Sequence, residues 1–362
     1  MGLITSYITR LVLARFALVL AGLVAFLISL DLMVSAEDVT DKLDGGAFAV
    51  LRYATLQVPI VSSGLIKFAS LLAGLLTFTT MMRRNEITPI WSMGVSQFGL
   101  MVRLAPVALF FAVVQLAVDD RMMPQAAETL RAWDLGDDYG ISPDEAAWLY
   151  IENDIVRVPF ATIGGNRLEN ITIFQRDPKG NLTSRLDAVA AVYEEGVWRL
   201  WDVTLRRVGN ETVAREFVRE WNAAIDPEGI VRLTVHPKDL SFAELIDIIG
   251  SDRRGYWLPH FYVTWLNVKM AAAVAPAMML FLIVALAQRF QRTGHIELLF
   301  FGGLSYGFGF FILNGIGVAM GESGLLPPII AGWAPVFAFG FVIAAIALWR
   351  EVYDTPQIET LR

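Results

Sequence analysis

Six stretches of the chain, residues 11–34, 56–82, 99–118, 261–287, 296–320 and 326–349, are almost free of charge. Each is about 20 residues or longer, enough as a helix to cross about 30 Å of hydrocarbon. This pattern limits the fold more than any other feature, because a backbone in lipid must satisfy its own polar groups and so has to be helical or a closed barrel. Composition agrees: 55% of the 362 residues are hydrophobic, 18% are charged, and the mean hydropathy is +0.52. A soluble domain carries about 25% charged residues. The first stretch exceeds the about 7–15 residues of a signal h-region. Ser35-Ala36-Glu37 is a poor cleavage site, so the stretch is read as a retained span.

Between the third and fourth stretches, residues 119–255 are ordinary in polarity. They hold 16 basic and 25 acidic residues, a balance of −9, against 13 and 11 elsewhere, a balance of +2. An acidic soluble part argues against nucleic acid, which binds a basic face. The absence of cysteine excludes disulfides, thiolate catalysis and cysteine metal sites.

Orientation follows from basic residues in the short loops. Arg10, Arg15, Arg83, Arg84, Arg103, Arg289, Arg292 and Arg350 fall on one side if there are six spans. The opposite short loops hold Lys42 and Arg52 in one and no basic residue in the other. Both termini are therefore expected in the cytoplasm and 119–255 outside, in the periplasm of a double-membrane bacterium. That segment reads as mostly β. Trp148–Ile151 and Ile155–Val158 flank Asn153-Asp154, a hairpin signal. Ile171–Phe174 runs into the turn formers of Asp177–Asn181. Ala188–Tyr193 and Val197–Arg206 flank Glu194-Glu195-Gly196, and Val213–Trp221 reads as a further strand. Such spacing predicts a sandwich or jelly roll. Residues 119–135 and 241–250 look helical.

No catalytic engine is visible. There is no Gly-Lys dipeptide and hence no Walker A loop. His236, His260 and His295 lack metal-ligand spacing. The acidic pairs Asp137-Asp138 and Glu194-Glu195 sit in turn-like contexts where solvated acids are expected, and the Asn-x-Thr triplets at Asn170, Asn181 and Asn210 are chance matches. More informative is RRNEITPIWSMGVSQFGLMVR, residues 83–103. Glu86, Ile87, Ile90, Trp91 and Met93 fit a short amphipathic helix ended by Gly94, with Pro89 in its first turn, where a missing N–H is tolerated. Composition alone fits either an interfacial anchor or a cytoplasmic docking element.

Three ordered stretches carry a resemblance that spans essentially the whole chain. The first runs from Val58-Pro59 through RRNEITPIWSMGVS to Asp119-Asp120-Arg121-Met122-Met123-Pro124. The second is LSFAELIDII, residues 240–249, leading to Tyr262 and Lys269. The third is GLSYGFGFFILNGIG, residues 303–317, followed by LLPPIIAGWAP, residues 325–335. Together they resemble the lipopolysaccharide-export permeases of the LptF/LptG family, nearer its LptG branch. The resemblance implies an α-helical membrane protein with six transmembrane helices and a periplasmic β-jelly-roll inserted between helices 3 and 4. Its parts would be helices 1–3 over 1–118 with a coupling helix at about 84–98, the β domain over 119–255, and helices 4–6 with a cytoplasmic tail over 256–362. It also implies an inner-membrane permease of an ABC-type exporter, paired with an LptF-like permease on an LptB-like ATPase dimer. That ATPase would bind the ATP and Mg, leaving no cofactor for this chain. Lipopolysaccharide would leave the outer leaflet through gates at spans 1 and 5 and pass to a bridge of LptC- and LptA-like proteins.

By the same resemblance the loop helix docks on the ATPase, with Glu86 matching the family's acidic residue; Arg84, Pro89, Ile90, Met93 and Gly94 complete that candidate site. For substrate, Lys67 lies about 22 Å above the cytoplasmic end of its span and Lys269 about 12 Å below the top of its own. Lysines there snorkel, pair or face a watery cavity. Lys269 matches a family lysine, whereas Lys67 stands where proline or an aliphatic residue is usual. The outer end of span 1 carries Glu37 and Asp38 rather than the family's frequent basic residue, so Lys67, Lys269 and Arg52 are expected to supply the positive potential for lipid A phosphates. Phe16, Phe26, Leu30, Leu32, Tyr306, Phe310 and Leu313 are candidates to line an acyl-chain cavity, and the glycines 302–317 of span 5 suit close helix approach. Two other classes fit these residues less well. A membrane sensor with a periplasmic ligand-binding β domain would need a cytoplasmic output domain, and a lipid-modifying enzyme would need more convergent polar groups than Lys67, Lys269, Asp31 and Asn314.

Overall fold

The computed structural model describes residues 2–43, 45–133, 135, 146–161, 165–209, 213–223, 225–250, 255–291 and 296–353. Asp137, Asp138, Asn210, Arg292, His295 and the tail beyond 353 lie outside the described residues. In chain order come α1 (Leu3–Lys42), α2 (Ala47–Arg83), α3 (Ile87–Ser92) and α4 (Gln97–Ala117). A π-helical turn, Val118–Met122, leads into α5 (Met123–Ala132). Then follow β1 (Ala147–Ile151), β2 (Asp154–Val158), β3 (Phe160–Ala161), β4 (Arg167–Arg176), β5 (Leu182–Glu194), β6 (Val197–Arg207) and β7 (Val213–Trp221). The chain continues through α6 (Pro227–Thr234), a 3₁₀ turn at Pro237–Asp239, α7 (Phe242–Gly250), α8 (Pro259–Gln291), α9 (Ile296–Glu322) and α10 (Pro328–Tyr353). Among the described residues six helices are long and apolar enough to span: α1, α2, α4 with α5, α8, α9 and α10, here spans 1 to 6. The β segment therefore stands between spans 3 and 4, as the apolar runs require.

The chain divides into two compact units, residues 1–36 with 57–123 and 267–362, and residues 37–56 with 124–266. In the first, Phe78, Phe111 and Phe310, with Leu71, Leu75 and Leu104, are fully buried between helices. Phe16 packs on Phe111 with ring centroids 4.2 Å apart.

The second unit is built on one antiparallel sheet of order β1-β2-β4-β5-β6-β7, with β3 on β4. Its core face carries Leu149, Val156, Ile173, Leu186, Trp198 and Leu205, which share a cluster with Ile230, Leu233 and Leu245 of α6 and α7. Trp198 is fully buried and its indole N–H donates to the Ile225 carbonyl at 2.8 Å, so the one polar atom of the ring is satisfied. Two turn readings sharpen. The first hairpin pairs Ile151 with Asp154, so its turn is Glu152-Asn153, one residue earlier than the Asn-Asp signal suggested. The second turns at Glu195 and Gly196, both at positive φ (54° and 86°), as a tight primed turn demands. There Arg199 pairs with Glu194 and Glu195 at 2.8 and 2.8 Å, so these acids are ion-paired and not merely solvated.

Asn170 and Asp202 sit in the left-handed region at φ 52° and 52°. Both lie opposite Val189, between the pairs Glu169–Ala190 and Ile171–Ala188 on one side and Ala188–Val203 and Ala190–Trp201 on the other. The core-facing set accordingly steps three residues, from Leu168 to Ile171 and from Leu200 to Val203, where a regular strand would step two. Asn and Asp tolerate this backbone better than other non-glycine residues.

Candidate functional site

Two polar constellations stand out in the span unit. The first is the loop between spans 2 and 3. Arg84 and Asn85 leave α2, Glu86 takes the N-cap position of α3, and Gly94 at φ 79° ends the turn. Ile87 and Ile90 face inward, 0% and 6% exposed, and join the core of the spans. Arg84, Pro89, Met93 and Gly94 face solvent. Five of the six expected docking residues are therefore accessible at least in part, whereas Ile90 anchors the loop from within. Glu86 does more than face outward. It accepts a hydrogen bond from Tyr7 Oη of span 1 at 2.9 Å and lies 3.8 Å from Arg84. A tyrosine seventh in the chain gives no sequence signal of a partner 79 residues away.

The second constellation lies where spans 2, 3 and 4 meet. Asp119, 4% exposed, sits in the π turn. Ser63 Oγ donates to its Oδ1 at 2.6 Å and Gln115 Nε2 to its Oδ2 at 2.8 Å. Gln115 Nε2 also reaches the Ser63 carbonyl at 2.9 Å, while Gln115 Oε1 is buried without a donor. Lys269, 5% exposed, donates from Nζ to the backbone carbonyl of Asp119 at 3.0 Å. The reason is local. Met123 N–H bonds to Val118 O, and the next residue, Pro124, has no N–H to offer. The Asp119 carbonyl would be an orphan in apolar surroundings, and an ammonium from span 4 caps it. π turns inserted in helices often mark functional sites.

Lys67 shares this region. It is within the electrostatic reach of Asp119 but makes no ion pair or hydrogen bond with it. Its Nζ lies 5.9 Å from the centroid of the Phe311 ring on span 5. Ser63 and Lys67 share one face of span 2, and Gln115 and Asp119 share one face of span 3, each pair four residues apart. That spacing was readable; the convergence on Asp119 was not.

The other expected substrate residues are scattered. Arg52 stacks its guanidinium over Trp133 at 4.3 Å within the β-containing unit. Phe26 is 60% exposed, and Leu30 and Tyr306 are also surface residues. Phe310 is 1% exposed and packs edge-on against Phe339 at 5.3 Å, so it is core rather than lining. On the face of the sheet opposite its core, Trp148 stacks on Phe174 at 6.0 Å, while Arg185 and Arg176 lie over Phe174 and Tyr150 at 5.6 and 5.7 Å. Trp201 meets Phe217 at 5.7 Å. His236 packs on Trp257 and accepts a hydrogen bond from Lys238 N–H, a structural role.

Six spans, an inserted β domain and a short surface helix between spans 2 and 3 define a multipass membrane protein. The sequence profile of the lipopolysaccharide export system permeases LptF/LptG matches residues 6–350, and the chain belongs to that family. It is 23% identical over 342 residues to the lipopolysaccharide export system permease protein LptG of Escherichia coli strain K12, covering 90% of this chain and 93% of the relative. The same figures hold for LptG of E. coli O6:H1.

Proposed function

We propose that the chain is the LptG-like permease of an ABC-type exporter in the bacterial inner membrane. It pairs with an LptF-like permease, and both of its termini lie in the cytoplasm. It draws lipopolysaccharide from the outer leaflet and passes it through its periplasmic β domain to LptC- and LptA-like proteins. An LptB-like ATPase dimer, which binds ATP and Mg, drives the cycle. The observation that carries this reading is the family match over nearly the whole chain, with a solvent-facing helix where such a permease needs a docking element. Basic residues in the loops support the orientation. For substrate, Lys67 offers an ammonium without a hydrogen-bond acceptor among the described residues. Arg52 adds exposed charge, and Phe26, Leu30 and Tyr306 offer apolar surface. Lys269 contributes charge from within its cap on Asp119, and Phe310 backs the surface from the core.

The ATPase assignment is tested by co-purification. Glu86→Arg reverses the charge at the docking helix and is expected to lose the ATPase while the permease stays folded. Tyr7→Phe removes only the hydrogen bond that Glu86 accepts within the chain and is expected to keep the complex. If Glu86→Arg retains the ATPase, the docking role is wrong; if Tyr7→Phe loses it as fully, Glu86 acts by holding span 1.

A further inference from the structure

Spans 2 and 5 run past each other along a seam with a four-residue repeat. A Cβ at Gly303 would stand 2.5 Å from Leu75 Cδ2, and one at Gly307 would collide with Leu71 Cδ2. One step further, Phe311 faces Lys67. Phe68 packs on Phe311 at 5.8 Å and on Phe308 at 6.1 Å, closing the same step. Beyond it the seam opens: a Cβ at Gly315 or Gly64 meets nothing within 4 Å. The last contact before the opening is thus an ammonium against an aromatic face.

That ammonium is incompletely satisfied. Both Asp119 oxygens are taken by neutral donors, and Lys269 is taken by a carbonyl. The three donors of the Lys67 ammonium find no acceptor among the described residues. A charge-assisted hydrogen bond to an anion is stronger than an ammonium–ring contact. An anion arriving through the open end would take Lys67 from Phe311, leaving span 5 held to span 2 by the Phe68 ring contacts and the glycine steps.

We propose that the Lys67–Phe311 contact is an anion-released latch at the open end of the span 2–span 5 seam, and that its ligand is a phosphate carried by a lipid. Asp119 acts as a positioning residue, its carboxylate lying within electrostatic reach of Lys67. The lipid as carrier follows from the setting, since the exposed neighbours on span 5 are apolar: Phe308, Ile312 and Ile316. The identity of the lipid rests on the transport reading above; the latch itself does not.

The chain has no cysteine, so spin labels can be placed at Gly64→Cys and Ile316→Cys alone. The full chain in dodecyl maltoside, a detergent without phosphate, is titrated with lipid A, with dephosphorylated lipid A, or with inorganic phosphate, and dipolar broadening is read. Lipid A is expected to raise the separated population about fivefold, with no effect from the other two. Lys67→Gln and Phe311→Leu are each expected to abolish the response, Lys67→Arg to keep it, and Asp119→Asn to weaken it. A response that persists in Lys67→Gln or in Phe311→Leu overturns the latch, and so does a response to dephosphorylated lipid A. A response to inorganic phosphate overturns the lipid as carrier. Failure of the unaltered chain to co-purify with an ATPase, with this response intact, would strike the transport reading and leave the latch standing.

Discussion

At the scale of single residues, burial decides what a charge does. In the span unit, burial puts Lys269 on a carbonyl that Pro124 leaves without a partner. In the β unit, Asp154 shows the opposite case, a carboxylate disfavoured by its place. It lines a cavity of about 250 Å³ with Glu152, Gln175, Arg219 and Trp221. Burial pushes its carboxyl above the ordinary value of 3.8, and Glu152 adds to the rise, against hydrogen bonds from Arg176 N–H and Trp221. The folded protein therefore holds this proton more tightly than the unfolded chain does. Stability from this group is complete below the unfolded value and falls as pH rises through the higher folded one. Asp154→Asn cannot ionise yet keeps an oxygen acceptor. It is expected to raise the denaturation midpoint of the β unit at neutral pH, read by tryptophan fluorescence, with no gain below about pH 3.5. An unchanged pH slope would show that the desolvation of Asp154 has no effect on folding.

At the scale of elements, periodicity carried most of the fold. Charge-free length marked the six spans, and turn residues such as Asp177–Asn181 marked the hairpins; there the Asp177 carboxylate accepts N–H bonds from Lys179 and Asn181, each 2.9 Å. What sequence could not show was long-range convergence. Asp119 was visible as the polar end of a run, but Ser63 lies 56 positions and Lys269 150 positions away, and no local pattern encodes such pairings. The short helix between spans 2 and 3 was legible, but which of its apolar residues turn inward, as Ile90 does, depends on the spans beneath it. The glycines of α9 show the same limit. All suit close approach on composition, yet only some make it. Gly303 and Gly307 meet Leu75 and Leu71, Gly317 would place a Cβ 2.6 Å from Ala331 O, and Gly315 faces open space. Leu71 and Leu75 are fully buried and have little room to yield. Gly307→Ala is expected to cost about 1–3 kcal/mol by overpacking and to lower the thermal midpoint in detergent, with Gly303→Ala similar. Gly315→Ala is expected to be neutral or slightly stabilising, since alanine favours helix. Equal effects at 307 and 315 would mean that the seam is not close-packed.

At the scale of the whole molecule, the spans are unequally covered by the chain itself. Span 4 has 67% of its apolar window buried, span 2 has 50%, and spans 1 and 5 only 22% each. Lipid can cover the rest, since hydrocarbon is as apolar as leucine and exposure alone demands no partner. The uneven coverage becomes informative alongside the function proposed above, in which a second permease would help enclose a lipid path and the least covered helices would face it. Span 6, with 28% buried, is nearly as open and serves as the comparison. A photo-crosslinking side chain at Phe26 or Leu313, on spans 1 and 5, is expected to capture either the second permease or lipopolysaccharide in membranes containing the full exporter. The same group at Phe341 on span 6, which is 75% exposed, is expected to capture bulk phospholipid only. Adding ATP should change the yield at Phe26 and Leu313 and leave Phe341 unchanged, because only a surface on the transport path is rearranged by the driving subunit. Equal capture at all three positions would place the lipid path elsewhere and leave spans 1 and 5 as ordinary lipid-facing helices.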